Sequence, residues 1–148
     1  MRAVTQYDPA DLIPAGTRDQ GELIGELRAL AASIRHPALA AVVRAVFSDR
    51  AFIKRFKACP ASQAYHHAYL GGLLEHTVAV ATLCRALAEL YPHADADLLI
   101  AGALLHDVGK VDELSYTTAI DYTDDGRMIG HVVLGERSAG FGEAAGFG

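Results

Sequence analysis

The sequence has no tryptophan and only two cysteines in 148 residues. Because other aromatic residues are also few, the core must consist mainly of leucine, alanine, valine and isoleucine. Cys59 and Cys84 lie far apart and outside any CxxC pattern, which disfavours a disulfide framework and a thiolate zinc site. We therefore expect two core thiols in a reducing compartment.

Long hydrophobic runs are also missing. The longest, residues 98–105, is far too short to span a bilayer, and Asp8 and Asp11 stand where a secretory peptide would be apolar. The length is sufficient for one domain with its own core. These features predict a soluble, cytoplasmic protein without a membrane partner.

Basic residues are outnumbered by acidic ones, and the net charge of −5 disfavours a general nucleic-acid binder. Residues 44–57 are the exception, because they carry five basic side chains against one acid and leave the rest of the chain at −9. Such a cluster steers phosphate toward a site in some proteins and is only a solvated helix face in more of them. The five cations are Arg44, Arg50, Lys54, Arg55 and Lys57.

Apolar residues recur at helical spacing along most of the chain, which predicts an all-α fold. A capping box at Thr17–Gln20 is expected to start the first helix, and Pro37 to end it. A short hairpin is expected near 115–127, with Asp124-Asp125-Gly126 as a turn. Further helices are predicted over about 38–47, 52–56, 62–91, 98–107 and 130–138. The chain then divides into an irregular leader, a helical domain and a glycine-rich tail, at 1–16, 17–137 and 138–148.

The predicted helix over 62–91 carries a histidine on its apolar face. His76 shares a helical stripe with three apolar residues, so its ring is expected to face the interior beside a polar partner. The three residues are Val80, Leu83 and Leu87. In isolation, such a histidine is more often a hydrogen-bonded core residue than a ligand.

The predicted helix over 98–107 is apolar nearly all round and is expected to be central. It ends with His106 and Asp107, and Gly109 is expected to close it in the left-handed conformation. Two imidazoles, from His76 and His106, and the Asp107 carboxylate would together bind a divalent Mn, Fe, Co, Ni or Zn ion, without choosing among these metals. A structural zinc site is disfavoured because such sites are usually closed and rich in cysteine.

The ordered set His76, His106-Asp107 and Lys110 resembles the HD-domain metal-dependent phosphohydrolases. The sequence is also similar to the HD domain of the YhaM-type 3′-to-5′ exoribonucleases, in register from about residue 7 to 137. Residues 65–77, 102–110, 121–123 and 130–131 carry this similarity. The resemblance implies an HD-domain helical bundle that uses a metal-activated water to hydrolyse a phosphate ester, in an RNA 3′ end or a small nucleotide.

The resemblance also implies roles for individual residues. The metal-ligand positions of the family fall on His76, His106, Asp107 and His131. Asp107 would bridge two ions, with His131 on the second, and His66 and His67 match a pair near the substrate. Lys110 would bind the substrate phosphate and stabilise the charge added in the reaction, so Asp107 and Lys110 are the candidate catalytic residues. From the residue pattern alone, Lys110 also fits an exposed lysine beyond a helix end. His66, His67 and His131 also fit surface residues.

The sequence departs from the family after His131, where a closing aspartate is expected but the only acids are Glu136 and Glu143. We therefore expect an HD bundle truncated at its C-terminal end. Metal binding is expected to be weak and turnover low, unless Glu143 or a second protomer of a homo-oligomer completes the site. The competing interpretation is a non-catalytic or truncated HD-fold module for binding or oligomerisation.

Overall fold

The computed structural model describes residues 13–64, 67–117 and 119–138, and this part of the chain is mainly helical. The all-α prediction is therefore confirmed, whereas most of the predicted leader and tail lie outside the described residues. No helix in these ranges is long and apolar enough to cross a membrane. The helices are α1 (Gln20–Ser33), α2 (Pro37–Ser48), α3 (Arg50–Ala58), α4 (Gly72–Leu90), α5 (Ala96–Leu105), α6 (Lys110–Glu113), α7 (Asp124–Ile129) and α8 (His131–Ser138).

Polar side chains set the starts of α1 and α2. Asp19 caps α1 by accepting a hydrogen bond from the Glu22 amide at 2.8 Å. The capping box predicted from Thr17 is therefore wrong, because the carboxylate two residues later reaches the orphan amide. His36 caps α2, and Pro37 is its first residue, where a fixed φ and a missing N–H cost nothing.

The centre of the molecule is the packing of α4 against α5, with α1, α2 and α3 around them. Both helices contribute small or branched residues that allow close approach, and the Phe56 ring of α3 is fully buried beside them. The main core residues of the two central helices are Leu73, Leu74, Val78, Ala81, Ile100, Ala101, Ala103 and Leu104. This packing brings the histidines of the two helices to the same place.

The predicted beginning and buried face of α4 are both wrong. The helix begins at Gly72 because Gly71 and His67 have φ values of +83° and +56°, which a right-handed helix cannot include. Leu83 is 60% exposed and Leu87 39%, so they do not form the core face. The helix is apolar on more than one side, and spacing alone could not decide which side is covered.

The segment after α6 forms the predicted hairpin, with β1 (Leu114–Ser115) antiparallel to β2 (Asp121–Tyr122). The turn predicted at Asp124–Gly126 is wrong, since these residues are the first turn of α7. Thr123 caps this helix by accepting a hydrogen bond from the Gly126 amide at 2.9 Å.

Gly109 has a φ of −68°, so the predicted left-handed closure of α5 is also wrong. The glycine has a different reason. A Cβ atom there would lie 1.8 Å from the His131 carbonyl oxygen and 2.4 Å from the Gly135 nitrogen. The missing side chain therefore lets α8 pack directly on the turn that follows Asp107.

Candidate metal centre

Three predicted ligands converge between the two central helices. His76 lies one turn into α4, His106 is the C-cap of α5, and Asp107 follows it. The His76 Nε2 atom lies 3.3 Å from His106 Nε2 and 3.4 Å from Asp107 Oδ2. His106 Nε2 lies 3.1 Å from the same carboxylate oxygen. The side-by-side packing predicted from the sequence is therefore present.

These separations suit a shared metal ion. With metal–ligand bonds near 2.1 Å, adjacent ligand atoms lie about 3.0 Å apart in octahedral and about 3.4 Å apart in tetrahedral coordination. His76, His106 and Asp107 form the group of at least three His, Cys, Asp or Glu side chains within the described ranges that could hold a metal ion. Two imidazoles and a carboxylate suit first-row divalent metals better than Ca²⁺ or Mg²⁺, which prefer oxygen ligands.

A backbone contact fixes the His106 ring. Its Nδ1 lies 2.8 Å from the Ala103 carbonyl oxygen, so Nδ1 carries a proton and donates it to that oxygen. In the neutral ring, Nε2 then keeps its lone pair toward His76 and Asp107, as a metal ligand requires. In the protonated ring, Nε2 instead donates a hydrogen bond to Asp107, and this bond raises the pKa of His106, whereas burial lowers the pKa of His76.

The Asp107 carboxylate is 5% exposed and uses both of its oxygens. Oδ2 faces the two imidazoles and the Lys110 ammonium group at 2.8 Å, and Oδ1 lies 3.4 Å from His131 Nε2. Burial alone would raise the pKa of Asp107. The hydrogen bonds from His106 and Lys110 and their positive charge outweigh burial and lower this pKa to about 2, so the group is ionised at neutral pH.

Lys110 is turned toward the candidate centre. Its side chain is only 18% exposed, so the interpretation as an exposed lysine past a helix end is wrong. Cys59 is buried nearby, with Sγ 3.5 Å from the Lys110 carbonyl oxygen. Cys59 is therefore a core residue, and its burial raises the pKa of the thiol to about 12. A thiol that stays protonated is a poor metal ligand at neutral pH.

Sequence reasoning missed Glu113, which orients His131. The Glu113 Oε1 atom accepts the backbone N–H of His131 at 3.0 Å and lies 3.1 Å from its Nδ1. The Nδ1 proton therefore points at Glu113, and Nε2 points at Asp107. A carboxylate behind a ligating histidine is a common support in metal sites. No periodicity or spacing marks Glu113, because its role depends on how α8 returns to the end of α6.

His67 lies beside the centre in a backbone conformation that is uncommon for a residue with a side chain. Its ring centre is 5.7 Å from that of His76. Its Nδ1 lies 2.6 Å from the Tyr69 hydroxyl, which donates to Glu75 Oε2 at 2.8 Å. Burial and the Glu75 carboxylate raise the pKa of Tyr69 to about 12, so the hydroxyl stays protonated. His66 lies outside the described residues.

Comparison with known proteins agrees with this geometry. Residues 73–140 match the family model of the HD domain, the resemblance that the histidine and aspartate pattern of the sequence predicted. Over 75 residues the chain is 45% identical to the 3′-5′ exoribonuclease YhaM of Bacillus subtilis (strain 168), a match that covers 51% of the chain and 24% of that protein.

A longer match reaches further along the chain. Over 140 residues the chain is 32% identical to the 3′-5′ exoribonuclease YhaM of Listeria innocua serovar 6a, a match that covers 90% of the chain and 44% of that protein. The chain therefore spans less than half the length of these curated relatives. No solved structure matches it.

Proposed function

We propose that this chain is a metal-dependent phosphohydrolase that acts on phosphodiester bonds at RNA 3′ ends or in small nucleotides. The observation that carries the proposal is the triangle of His76 Nε2, His106 Nε2 and Asp107 Oδ2, with edges of 3.1 to 3.4 Å. The pKa values of all three groups are shifted, which is typical of functional sites.

The proposal gives each residue a task. His76, His106 and Asp107 would hold one divalent ion, of Mn, Fe, Co, Ni or Zn, and His131 would hold a second ion together with Asp107. A bound ion would supply a water of lowered pKa and reduce the charge on the phosphate oxygens. Glu113 keeps the His131 ring turned toward Asp107.

Lys110 and His67 face the substrate in this proposal. The Lys110 ammonium group neutralises Asp107 and can also donate hydrogen bonds to a phosphate oxygen that gains charge. His67 contacts the substrate, and the hydrogen bonds through Tyr69 to Glu75 hold its ring in place. His66 is proposed as a second substrate contact.

The names of the relatives support RNA as the substrate class, because both matched proteins are called 3′-5′ exoribonucleases. A small nucleotide has the same phosphate chemistry and remains the second candidate. The competing function is a non-catalytic HD-fold module for binding or oligomerisation, which predicts a folded protein without turnover.

The test is to remove all metal with chelator, reload the protein with each of the five metals separately, and measure both bound metal and hydrolysis. A generic phosphodiester, a 3′-labelled oligoribonucleotide and a cyclic dinucleotide serve as substrates. We expect at least one metal to bind and to restore cleavage from the RNA 3′ end. Metal content without any hydrolysis would favour the binding module.

His106→Ala and His93→Ala make a matched pair for this test. His93 is an exposed histidine beyond the end of α4, outside the candidate centre. We expect His106→Ala to lose bound metal and activity and His93→Ala to keep both. Equal metal content in the two variants would contradict the proposed ligand set.

A further inference from the structure

We propose that a cationic groove formed by α1, α2 and α3 binds the phosphates of single-stranded RNA. The groove consists of two open cavities of about 590 and 540 Å³, which share Arg50 and Ile53 in their linings. Both volumes lie in the range of ligand-sized sites. The cations that line this cationic groove are Arg28, Arg44, Arg50, Lys54 and Lys57.

The described part of the chain does not balance the charge of the cationic groove. Among residues 13–64, 67–117 and 119–138, no aspartate or glutamate lines either cavity, although the whole chain has a net charge of −5. None of its five cations forms a salt bridge with another described residue. Arg55, which is also on α3, lines neither cavity and pairs with Asp112. Uncompensated charge of one sign in a concave surface attracts a polyanion.

Three of the five cations lie in a row on α3. Arg50, Lys54 and Lys57 are four and three residues apart, so they share one face of α3 and span about 10 Å of the helix. Arg50 and Lys54 are exposed and Lys57 is half-buried. The exposed Arg44 and Arg28 continue the array onto α2 and α1. A row of this kind suits successive phosphates better than one isolated phosphate.

The floor between the cations is apolar and includes Phe47 and Ile53. The Phe47 ring is held by edge-on contacts with Phe52 and Phe56, at centroid distances of 6.0 and 5.4 Å. Aromatic rings inside a basic groove are typical of sites on which unpaired bases stack. A duplex keeps its bases inside, so the apolar floor favours a single strand. The choice of RNA over other polyanions rests on the proposed function.

The experiment measures binding of a labelled oligouridylate by fluorescence anisotropy, in chelator, over a series of salt concentrations. Each phosphate contact with a single strand contributes about −0.7 to the slope of log affinity against log salt concentration, so five contacts give roughly −3.5. We expect Lys54→Gln and Lys57→Gln each to reduce the slope by about 0.7. Arg85→Gln is the matched control, because Arg85 is exposed on α4 and lines neither cavity.

Three results would overturn the inference: no binding of the oligouridylate, equal effects of Lys54→Gln and Arg85→Gln, or equally tight binding of polyglutamate of the same charge. The last result would indicate an acidic protein partner instead. Melting temperatures show that each variant is folded. If the protein binds RNA in chelator but hydrolyses no substrate after it is reloaded with metal, this inference is supported and the proposed function is contradicted. Hydrolysis without groove-dependent binding would do the reverse.

Discussion

At the scale of single residues, Asp107 is the side chain through which most of the candidate centre is connected. Its Oδ2 contacts two histidines and Lys110, and its Oδ1 faces His131. A carboxylate with a partner on each oxygen has the geometry of a bridging ligand. Because His131 faces only Oδ1, its replacement tests the second proposed ion position separately.

We expect Asp107→Ala to abolish metal binding and activity, because it removes a charged ligand from both proposed positions. His131→Ala should reduce activity while the first ion remains bound. Bound metal and melting temperature are measured together in both variants. If Asp107 only forms hydrogen bonds near a helix end, its loss would lower stability by about 1 to 3 kcal/mol and leave metal content unchanged.

We expect Glu113→Gln to weaken metal binding by about 10- to 100-fold, because the amide can still accept a hydrogen bond but no longer supports the imidazole with negative charge. The measurement is a metal titration at neutral pH. Glu136→Gln is the matched control, because Glu136 is exposed on α8, the helix that carries His131, and it should bind metal as the parent does. Equal affinities in the two variants would mean that Glu113 only holds the start of α8.

The lowered pKa of Asp107 predicts a pH dependence of stability in the metal-free protein. The unfolded chain takes up this proton near pH 3.8 and the folded chain near pH 2, so the stabilisation is fully present above pH 3.8 and is lost as the pH falls toward 2. It amounts to the order of 2 kcal/mol. Urea unfolding between pH 5 and 2 measures it, and Asp107→Asn should show a shallower decline. Parallel curves would contradict the shifted pKa.

At the scale of elements, the close approach of α8 to the turn after α5 joins the two parts of the candidate centre. Gly109 allows this approach, and Glu113 and His131 continue the contact by hydrogen bonds. The segment that contains the candidate site residues Asp107 and Lys110 therefore also needs Gly109, for steric reasons.

Gly109→Ala should lower stability by about 1 to 3 kcal/mol or more, since the new methyl group meets backbone atoms that cannot rotate away. Displacement of α8 should also weaken metal binding through His131. Gly102→Ala is the control, because a Cβ atom there meets nothing within 4 Å, and alanine is the better helix former by about 1 kcal/mol. Equal unfolding curves for the two variants would mean that α8 is not packed as described.

At the scale of the whole molecule, the candidate ligands come from separate helices, so the two proposed ions would together connect α4, α5 and α8 in the folded state only. We expect metal to raise the melting temperature, with a gain of about 2.7 kcal/mol in unfolding free energy at a metal concentration 100 times the dissociation constant. Differential scanning fluorimetry with and without metal measures this shift. It should be absent in Asp107→Ala, and a shift that persists there would point to another metal site.

Part of the interior of the protein and the residue types of the candidate metal site were predictable from the sequence. Leu23, Leu27 and Leu30 recur at helical spacing in the sequence, and all three are buried on one face of α1. The order of His76, His106 and Asp107 predicted a shared site. An inward-facing polar side chain on a largely apolar helix needs a polar partner, and each of the two helices offers one to the other. The buried leucines of α1 are predictable because they are close in sequence. The shared site is predictable because the order of its residue types is itself a motif.

Only the tertiary structure decided which face of α4 is covered, why Gly109 is a glycine, and how His131 is oriented. Helical periodicity could not rank the sides of α4, because apolar residues lie on several of them and neighbouring helices determine which are buried. The support of His131 by Glu113 depends on distances between elements that are remote in sequence. The same is true of the groove cations, which form no salt bridge with another described residue. The sequence by itself determined the chemistry available to this protein, and packing between helices determined which groups meet.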